Sequence, residues 1–123
     1  MLKEMRTIEY AFEVLRNMHH HVFVDDERLD SRTIVEMVEN GGRLTDVSKT
    51  YIQKILPKMV RVGILDSNEA GYELCKPIDE ITVNLILDMC DMPPKSSPLY
   101  SLCYGLKEGV SLTTVEEFYD FSK

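Results

Sequence analysis

The chain has 123 residues, of which 44% are hydrophobic and 28% are charged, a composition typical of one soluble globular domain with its own core. No apolar run approaches the ~18 residues that a membrane-spanning helix needs, so a membrane protein is not expected. The formal net charge of −7 argues at first sight against a nucleic-acid-binding protein, because phosphates repel an acidic surface.

The N-terminal half is predicted to begin with two amphipathic helices. In the first, over about residues 7–19, apolar residues recur at helical spacing: Ile8, Ala11, Phe12 and Leu15. The stretch HHHVFVDDERL is predicted to form a connection. Asp30 or Ser31 can cap the second helix, and the Asn-Gly-Gly sequence at residues 40–42 ends it, since glycine accepts the left-handed backbone found after helices.

A third helix is predicted from Ser48, which can cap it, to Gly63. Its inner face is apolar: Ile52, Ile55, Leu56, Met59 and Val62. Its outer face is polar and basic: Thr50, Lys54, Lys58 and Arg61. Pro57 lies inside this helix, where it removes the hydrogen bond to the carbonyl of Gln53 and can kink the helix.

A β-hairpin is predicted within GILDSNEAGYELCKP, residues 63–77, where Tyr72 and Leu74 alternate with Glu73 and Cys75. A two-stranded hairpin is marginal in water, so it is expected to pack on the three helices before it. Three helices followed by a hairpin is the order of a winged helix-turn-helix, a mainly helical α+β fold.

Further helices are predicted after the hairpin. One covers about residues 82–91, and another carries apolar residues at helical spacing between Leu99 and Leu106. Near the C-terminus, Thr113 and Glu116 have the spacing of a capping box, which predicts a last short helix.

Charge is distributed unevenly along the chain. The segment from Arg28 to Gly63 contains seven Lys or Arg and four Asp or Glu, so its net charge is +3 and the rest of the chain carries −10. An acidic body with one basic segment is compatible with a localised nucleic-acid footprint, and equally with a helix whose lysines are simply solvated.

Several stretches resemble the Rrf-two family of bacterial winged-helix transcription regulators. The sequence from Tyr51, with its KMVRVGIL end, is similar to the family's recognition helix, and Gly71-Tyr72 is similar to the end of its wing. Pro77, Ile81 and Thr82 resemble the Pro and Ile-Thr stretch that follows. IEYAFEVL and SLTTVEEF resemble the family's first helix and closing segment. The resemblance implies a bacterial DNA-binding transcription regulator, and a repressor.

The chain departs from that family in two respects. Its wing tip, DSNEAGY, has no basic residue, whereas family wings commonly carry an arginine. Sensor members of the family hold an iron–sulfur cluster on three closely spaced cysteines after the fourth helix, but only Cys90 and Cys103 lie in that region, and Cys75 lies on the hairpin. Because a cluster requires several converging thiolates, no cofactor is expected.

Other candidate sites carry weaker signals. The three consecutive histidines His19 to His21, with Asp25 and Asp26 nearby, point in different directions, so no metal site is expected. No nucleophile elbow or phosphate-binding glycine loop is present, and an enzyme is therefore not expected. The sparse cysteines and an N-terminus that does not read as a signal peptide favour a cytoplasmic protein.

The resemblance and the charge pattern predict a DNA-binding surface around the third helix, because in winged helices this helix enters the major groove. Its start is expected to meet base edges or phosphates through Ser48, Lys49, Thr50 and Tyr51. Lys54, Lys58 and Arg61 are expected to contact the phosphate backbone. Arg28, Arg32 and Arg43 are expected to flank the site.

The resemblance also implies a homodimer with its interface in the helices after the wing. The apolar residues that suit such an interface, or alternatively pack inside the monomer, are Leu99, Leu102, Leu106 and Val110. Residues 1–92 are therefore predicted to form the DNA-binding domain and residues 93–123 a helical dimerisation segment. The expected partners are double-stranded DNA and a second copy of the chain, with an effector or protein partner left open. The alternative function is a winged-helix protein–protein interaction module that does not bind DNA.

Overall fold

The computed structural model describes residues 2–24 and 27–123, with side chains described from residue 5 onward. Asp25 and Asp26, in the predicted connection, lie outside the described residues. The elements follow in the order α1 (Leu2–His20), α2 (Ser31–Gly41), α3 (Lys49–Arg61), β1 (Leu65–Asn68), β2 (Gly71–Leu74), a 3₁₀ turn (Ile78–Glu80), α4 (Val83–Leu87), α5 (Pro98–Gly109) and α6 (Val115–Phe118). The prediction of a mainly helical winged helix-turn-helix is confirmed.

The predicted caps fix where α2 and α3 begin. The Asp30 carboxylate accepts a hydrogen bond from the Thr33 N–H at 2.8 Å, and this bond lowers the pKa of Asp30. The Ser48 hydroxyl accepts from the Tyr51 N–H at 3.1 Å. Helix α2 ends at Gly42, whose φ of 74° is left-handed, and α3 continues through Pro57.

One hydrophobic core joins every described element except α5. Helices α1, α2 and α3 pack against one another, and the hairpin packs against α3. The largest fully buried side chains come from α1, α2, α3, β1 with the residue before it, and the region around α4: Phe12, Leu15, Met18, Ile34, Ile52, Ile55, Leu56, Met59, Ile64, Leu65, Ile81 and Ile86. The buried face of α3 leaves its other side free to face solvent, as its sequence pattern predicts.

The hairpin has a two-residue turn and docks on the segment before α2. Its register pairs Leu65 with Leu74 and Asn68 with Gly71. The free edge of β2 pairs with Leu29, because the Leu29 and Tyr72 N–H groups donate to each other's carbonyls at 3.0 and 2.8 Å. A Cβ on Gly71 would lie 2.4 Å from the Leu29 carbonyl oxygen, and its φ of 130° also favours glycine. The wing is therefore fixed to the helical body.

Two predicted details of the C-terminal region are wrong. Helix α4 ends at Leu87 rather than near residue 91, because the Met89 and Cys90 N–H groups bond three residues back and tighten the chain into turns. The last helix is capped by Thr114, whose hydroxyl accepts from the Glu117 N–H at 3.3 Å, and not by Thr113. The Thr113 carbonyl instead accepts from the Val83 N–H at 2.8 Å, which joins the start of α4 to the start of α6.

The last residues return to α1. The Tyr119 ring stacks on Phe12 at a centroid distance of 4.7 Å, and Phe121 is buried in the core. No described helix is long and apolar enough to cross a lipid bilayer.

Candidate nucleic-acid interface

Helix α3 presents one polar face to solvent. Ile52, Ile55 and Met59 are buried on its opposite side. The exposed positions recur at intervals of three and four residues and so share one face: Lys49, Thr50, Gln53, Lys54, Pro57 and Arg61, with Lys58 half-buried beside them. Sequence reasoning missed Gln53, although its spacing from Lys49 and Thr50 already places it on this face. A glutamine amide can pair with the edge of adenine.

The lysines of this face carry charges that no described acidic side chain neutralises. Within residues 5–24 and 27–123, no hydrogen bond or ion pair engages the amines of Lys49, Lys54 and Lys58. The first turn of α3 contains no acidic residue, so the positive end of the helix dipole is also uncompensated there. On a chain of net charge −7, this face is a local cationic surface.

The hydroxyl groups of Ser48 and Tyr51, at the start of α3, both make hydrogen bonds within the protein. The Ser48 hydroxyl caps α3. The Tyr51 hydroxyl lies 2.6 Å from the Thr7 hydroxyl of α1, and the Ser48 N–H donates to the Tyr10 hydroxyl at 3.0 Å. Ser48 and Tyr51 therefore fix the start of α3 against α1, and they leave Lys49 and Thr50 as the exposed residues of the first turn.

The predicted flanking arginines differ in their environments. Arg28 donates to the Asp66 and Glu73 carboxylates of the wing at 2.7 and 2.8 Å. Arg43 donates to the Asp120 and Ser122 carbonyls at 2.5 and 2.9 Å. The Arg32 side chain is 82% exposed and lies 3.8 Å from the Glu36 carboxylate. Arg61, at the end of α3, donates to the Asp88 carbonyl at 3.5 Å.

Arg43 belongs to a polar cluster that anchors the C-terminal residues. The Glu13 carboxylate is fully buried, and it accepts from the Arg16 guanidinium and the Tyr119 hydroxyl. The hydrogen bond to Glu13 raises the pKa of Arg16, while burial and the same carboxylate raise the pKa of Tyr119. Bonds from Ser122 lower the pKa of Asp120. The cluster joins α1 to the C-terminal residues through hydrogen bonds inside the fold, so its role is structural.

Helix α5 has an apolar face that the rest of the described chain does not cover. None of its residues is buried, and Leu99, Leu102 and Leu106 are 47%, 56% and 60% exposed. They line a shallow apolar cleft with Met92 and Pro93. Val110, the fourth predicted interface residue, is half-buried against the core. A 2.5 Å ion pair between Lys107 and Asp88 ties α5 to the end of α4.

The cysteines do not form a site for an iron–sulfur cluster. Cys90 and Cys103 line one small apolar cleft, and Cys75 is exposed just after the second strand of the hairpin. Cluster ligation needs several thiolates at one place, and two do not supply it. In the described part of the chain, no group of three His, Cys, Asp or Glu residues could hold a metal ion.

The fold is similar to solved structures of bacterial regulators. CymR (YrzC), the global cysteine regulator of B. subtilis, has a TM-score of 0.55 at 17% identity over 95% of this chain and 94% of that chain. T. potens IscR has a TM-score of 0.57 at 14% identity over 91% and 82%. The oxidized form of Staphylococcus aureus CymR has a TM-score of 0.56 at 15% identity over 95% of both chains. At these identities the likeness establishes the fold alone.

No protein-family profile matches the sequence, and no curated protein matches it by sequence.

Proposed function

We propose that this protein is a transcription regulator of the Rrf-two type that binds double-stranded DNA as a homodimer. The observation that carries the proposal is the outer face of α3, where the Lys49, Lys54 and Lys58 amines have no partner among the described residues of an acidic protein. In the winged-helix fold this helix is the one that enters the major groove. The regulators CymR and IscR, which share the fold, support the same interpretation.

The exposed residues of α3 divide into two proposed roles. Thr50 and Gln53 carry neutral hydrogen-bonding groups near the start of the helix, so we assign them to base edges. The charged residues are assigned to phosphates: Lys49, Lys54, Lys58 and Arg61, with Arg32 as an outlying contact. Ser48 and Tyr51 position the first turn through their bonds to the backbone and to α1. Arg43 is assigned to the C-terminal anchor.

The wing is proposed to contribute little to DNA affinity. Its tip carries Asp66 and Glu69 and no basic residue. Arg28 is already bonded to the Asp66 and Glu73 carboxylates of the wing, so its charge is not available to phosphates. The recognition helix therefore supplies most of the proposed contacts.

Dimerisation is proposed to occur through the exposed apolar face of α5, lined by Leu99, Leu102 and Leu106. Apolar side chains at this spacing gain free energy when a second copy removes them from water. A two-fold dimer requires a roughly palindromic operator. Such a dimer excludes other proteins from the DNA that it occupies, which is the action of a repressor. As a bacterial transcription regulator, the protein would act in the cytoplasm, and the proposed function involves no enzymatic activity.

The second candidate function is a protein-interaction module, which the acidic wing favours. The two are separated by titrating a fluorescently labelled duplex of mixed sequence with the wild-type protein, first in ~50 mM and then in ~200 mM salt. A DNA-binding protein gives an affinity that falls steeply between the two conditions. No measurable affinity in ~50 mM salt would support the interaction module.

A further inference from the structure

The guanidinium of Arg6, on α1, lies over two tyrosine rings, Tyr10 of the same helix and Tyr51 in the first turn of α3. Its Cζ is 4.4 Å from the ring centroid of Tyr51 and 5.4 Å from that of Tyr10. The two rings meet edge to face at 5.0 Å. Arg6 is exposed, and no described carboxylate pairs with it. Among the described residues, the Arg6 cation is therefore held by aromatic rings.

Hydrogen bonds hold the two rings in place. The Tyr51 hydroxyl lies 2.6 Å from the Thr7 hydroxyl, and the Tyr10 hydroxyl accepts from the Ser48 N–H at 3.0 Å. Thr7 and Tyr10 are buried, so this platform is part of the packed body. A guanidinium held over two fixed rings loses less conformational freedom when it binds a ligand than a freely rotating side chain does.

We propose that Arg6 is a DNA-phosphate contact beside the first turn of α3. The inference rests on the proposed function, because it places α3 in the major groove. The two phosphate strands border that groove. Arg6 projects from α1 beside the first turn of α3, so it would face one of these strands when α3 lies in the groove. Within the described residues no hydrogen bond engages the Arg6 N–H groups, which can bind phosphate oxygens in pairs.

No sequence pattern indicates this contact. Arg6 lies outside the basic segment from Arg28 to Gly63, and only the packing of α1 on α3 brings it next to Tyr51. With Arg6 included, the cationic surface extends from α3 onto α1.

The test measures the affinity of wild-type protein and of Arg6→Ala, Arg6→Lys and Lys95→Ala for several duplex sequences over a range of salt concentrations. Arg6→Ala is expected to weaken binding on the order of ten-fold, as for the removal of a charged hydrogen bond, and by the same factor for every sequence. Its salt slope should fall by about one unit. Arg6→Lys keeps the charge but removes the paired N–H groups of the guanidinium. Its affinity should therefore lie between those of wild-type protein and Arg6→Ala. Lys95→Ala, an exposed lysine outside the proposed surface, is the charge-matched control and should bind as wild type does.

Two variants of Tyr51 test the platform itself, with thermal unfolding followed for each to confirm the fold. Tyr51→Phe keeps the ring and should preserve the Arg6 contribution. Tyr51→Leu removes the ring. In that background, Arg6→Ala should reduce DNA affinity clearly less than it does in the wild-type protein.

The outcomes separate the inference from the function on which it rests. Wild-type protein that binds DNA while Arg6→Ala binds equally well would overturn the inference and leave the proposed function standing. An Arg6→Ala protein that changes the order of preferred sequences would overturn the phosphate assignment. Wild-type protein without affinity for any duplex would overturn the proposed function itself.

Discussion

Asp66 and Glu73 face each other across the hairpin, and both accept a hydrogen bond from the same nitrogen of Arg28, at 2.7 and 2.8 Å. Two like charges that are direct cross-strand partners destabilise a hairpin. The Arg28 side chain is only 13% exposed and neutralises both. The acidic wing is thus joined to the segment before α2 by one arginine as well as by the backbone pairing of Leu29 with Tyr72.

Arg28→Ala should lower the free energy of unfolding by about 1 kcal/mol, because it removes two partly exposed ion pairs and leaves the two carboxylates to repel each other. Urea denaturation measures the change. Arg32→Ala removes a more exposed arginine with a 3.8 Å contact to Glu36 and should change stability by less than about 0.5 kcal/mol. Equal effects of the two substitutions would show that the wing does not depend on Arg28.

Glu13→Ala should destabilise the protein far more, by about 3–5 kcal/mol, because it leaves the Arg16 charge buried without its partner. Arg16 donates to Glu13 at 2.8 Å, and both side chains are almost completely buried. Glu9→Ala, at an exposed position of the same helix, is the control and should stay close to wild type in thermal unfolding. A small effect of Glu13→Ala would mean that the pair of Glu13 with Arg16 contributes little to stability.

Stability at alkaline pH should depend on Tyr119. Burial and the Glu13 carboxylate raise the pKa of Tyr119 above its ordinary value of 10.0, so the folded protein holds this proton longer than the unfolded chain does. The resulting stabilisation is complete below pH 10 and disappears as pH rises through the raised pKa. In urea titrations, the stability advantage of wild-type protein over Tyr119→Phe should shrink above pH 10. Parallel pH profiles would contradict this.

The local elements were predictable from sequence because their signals are local. Asp30 and Ser48 mark the starts of α2 and α3 by side-chain chemistry, and the spacing from Ile52 to Met59 defines the buried face of α3. The cap of α6 was misplaced by one residue because Thr113 and Thr114 are both followed three residues later by glutamate. Only the pairing of Thr113 with Val83 decides between them.

The candidate site was less predictable, because long-range contacts decide which cations are available. The sequence pattern predicts Arg28 and Arg43 as cations that flank the site. Arg28 meets acids on the hairpin, and Arg43 meets carbonyls near the C-terminus. Arg6 was missed for the converse reason, since its aromatic platform forms only when α1 packs on α3.

Substitutions at the proposed base-reading positions should alter sequence preference. Thr50→Ala and Gln53→Ala should each reduce discrimination at one operator position by about 1–3 kcal/mol and leave binding to mixed-sequence DNA nearly unchanged. Selection of bound duplexes from a random pool, followed by affinity measurements on the selected sequences, provides the test. A uniform reduction of affinity for all sequences would instead assign these residues to the phosphate backbone.

Substitutions on the apolar face of α5 should separate the dimer. Leu106→Glu places a charge on the proposed interface and should give a monomer in light scattering, because burying an unpaired carboxylate costs more than the interface gains. Ser101→Glu adds the same charge on the opposite side of the same helix and should remain dimeric. Wild-type protein that is monomeric at the same concentration would contradict the proposed dimer.

The lysine face of α3 is proposed to bind DNA phosphates, and its salt dependence gives the most direct measurement. The slope of log affinity against log salt concentration is determined for duplex DNA, in wild-type protein and in the Lys54→Ala/Lys58→Ala double variant. We expect wild-type protein to bind in ~50 mM salt, with a slope that becomes shallower by about two units in the double variant, because each lysine neutralises one phosphate. Absence of binding by wild-type protein, or the same slope in both proteins, would contradict the proposed role of this face.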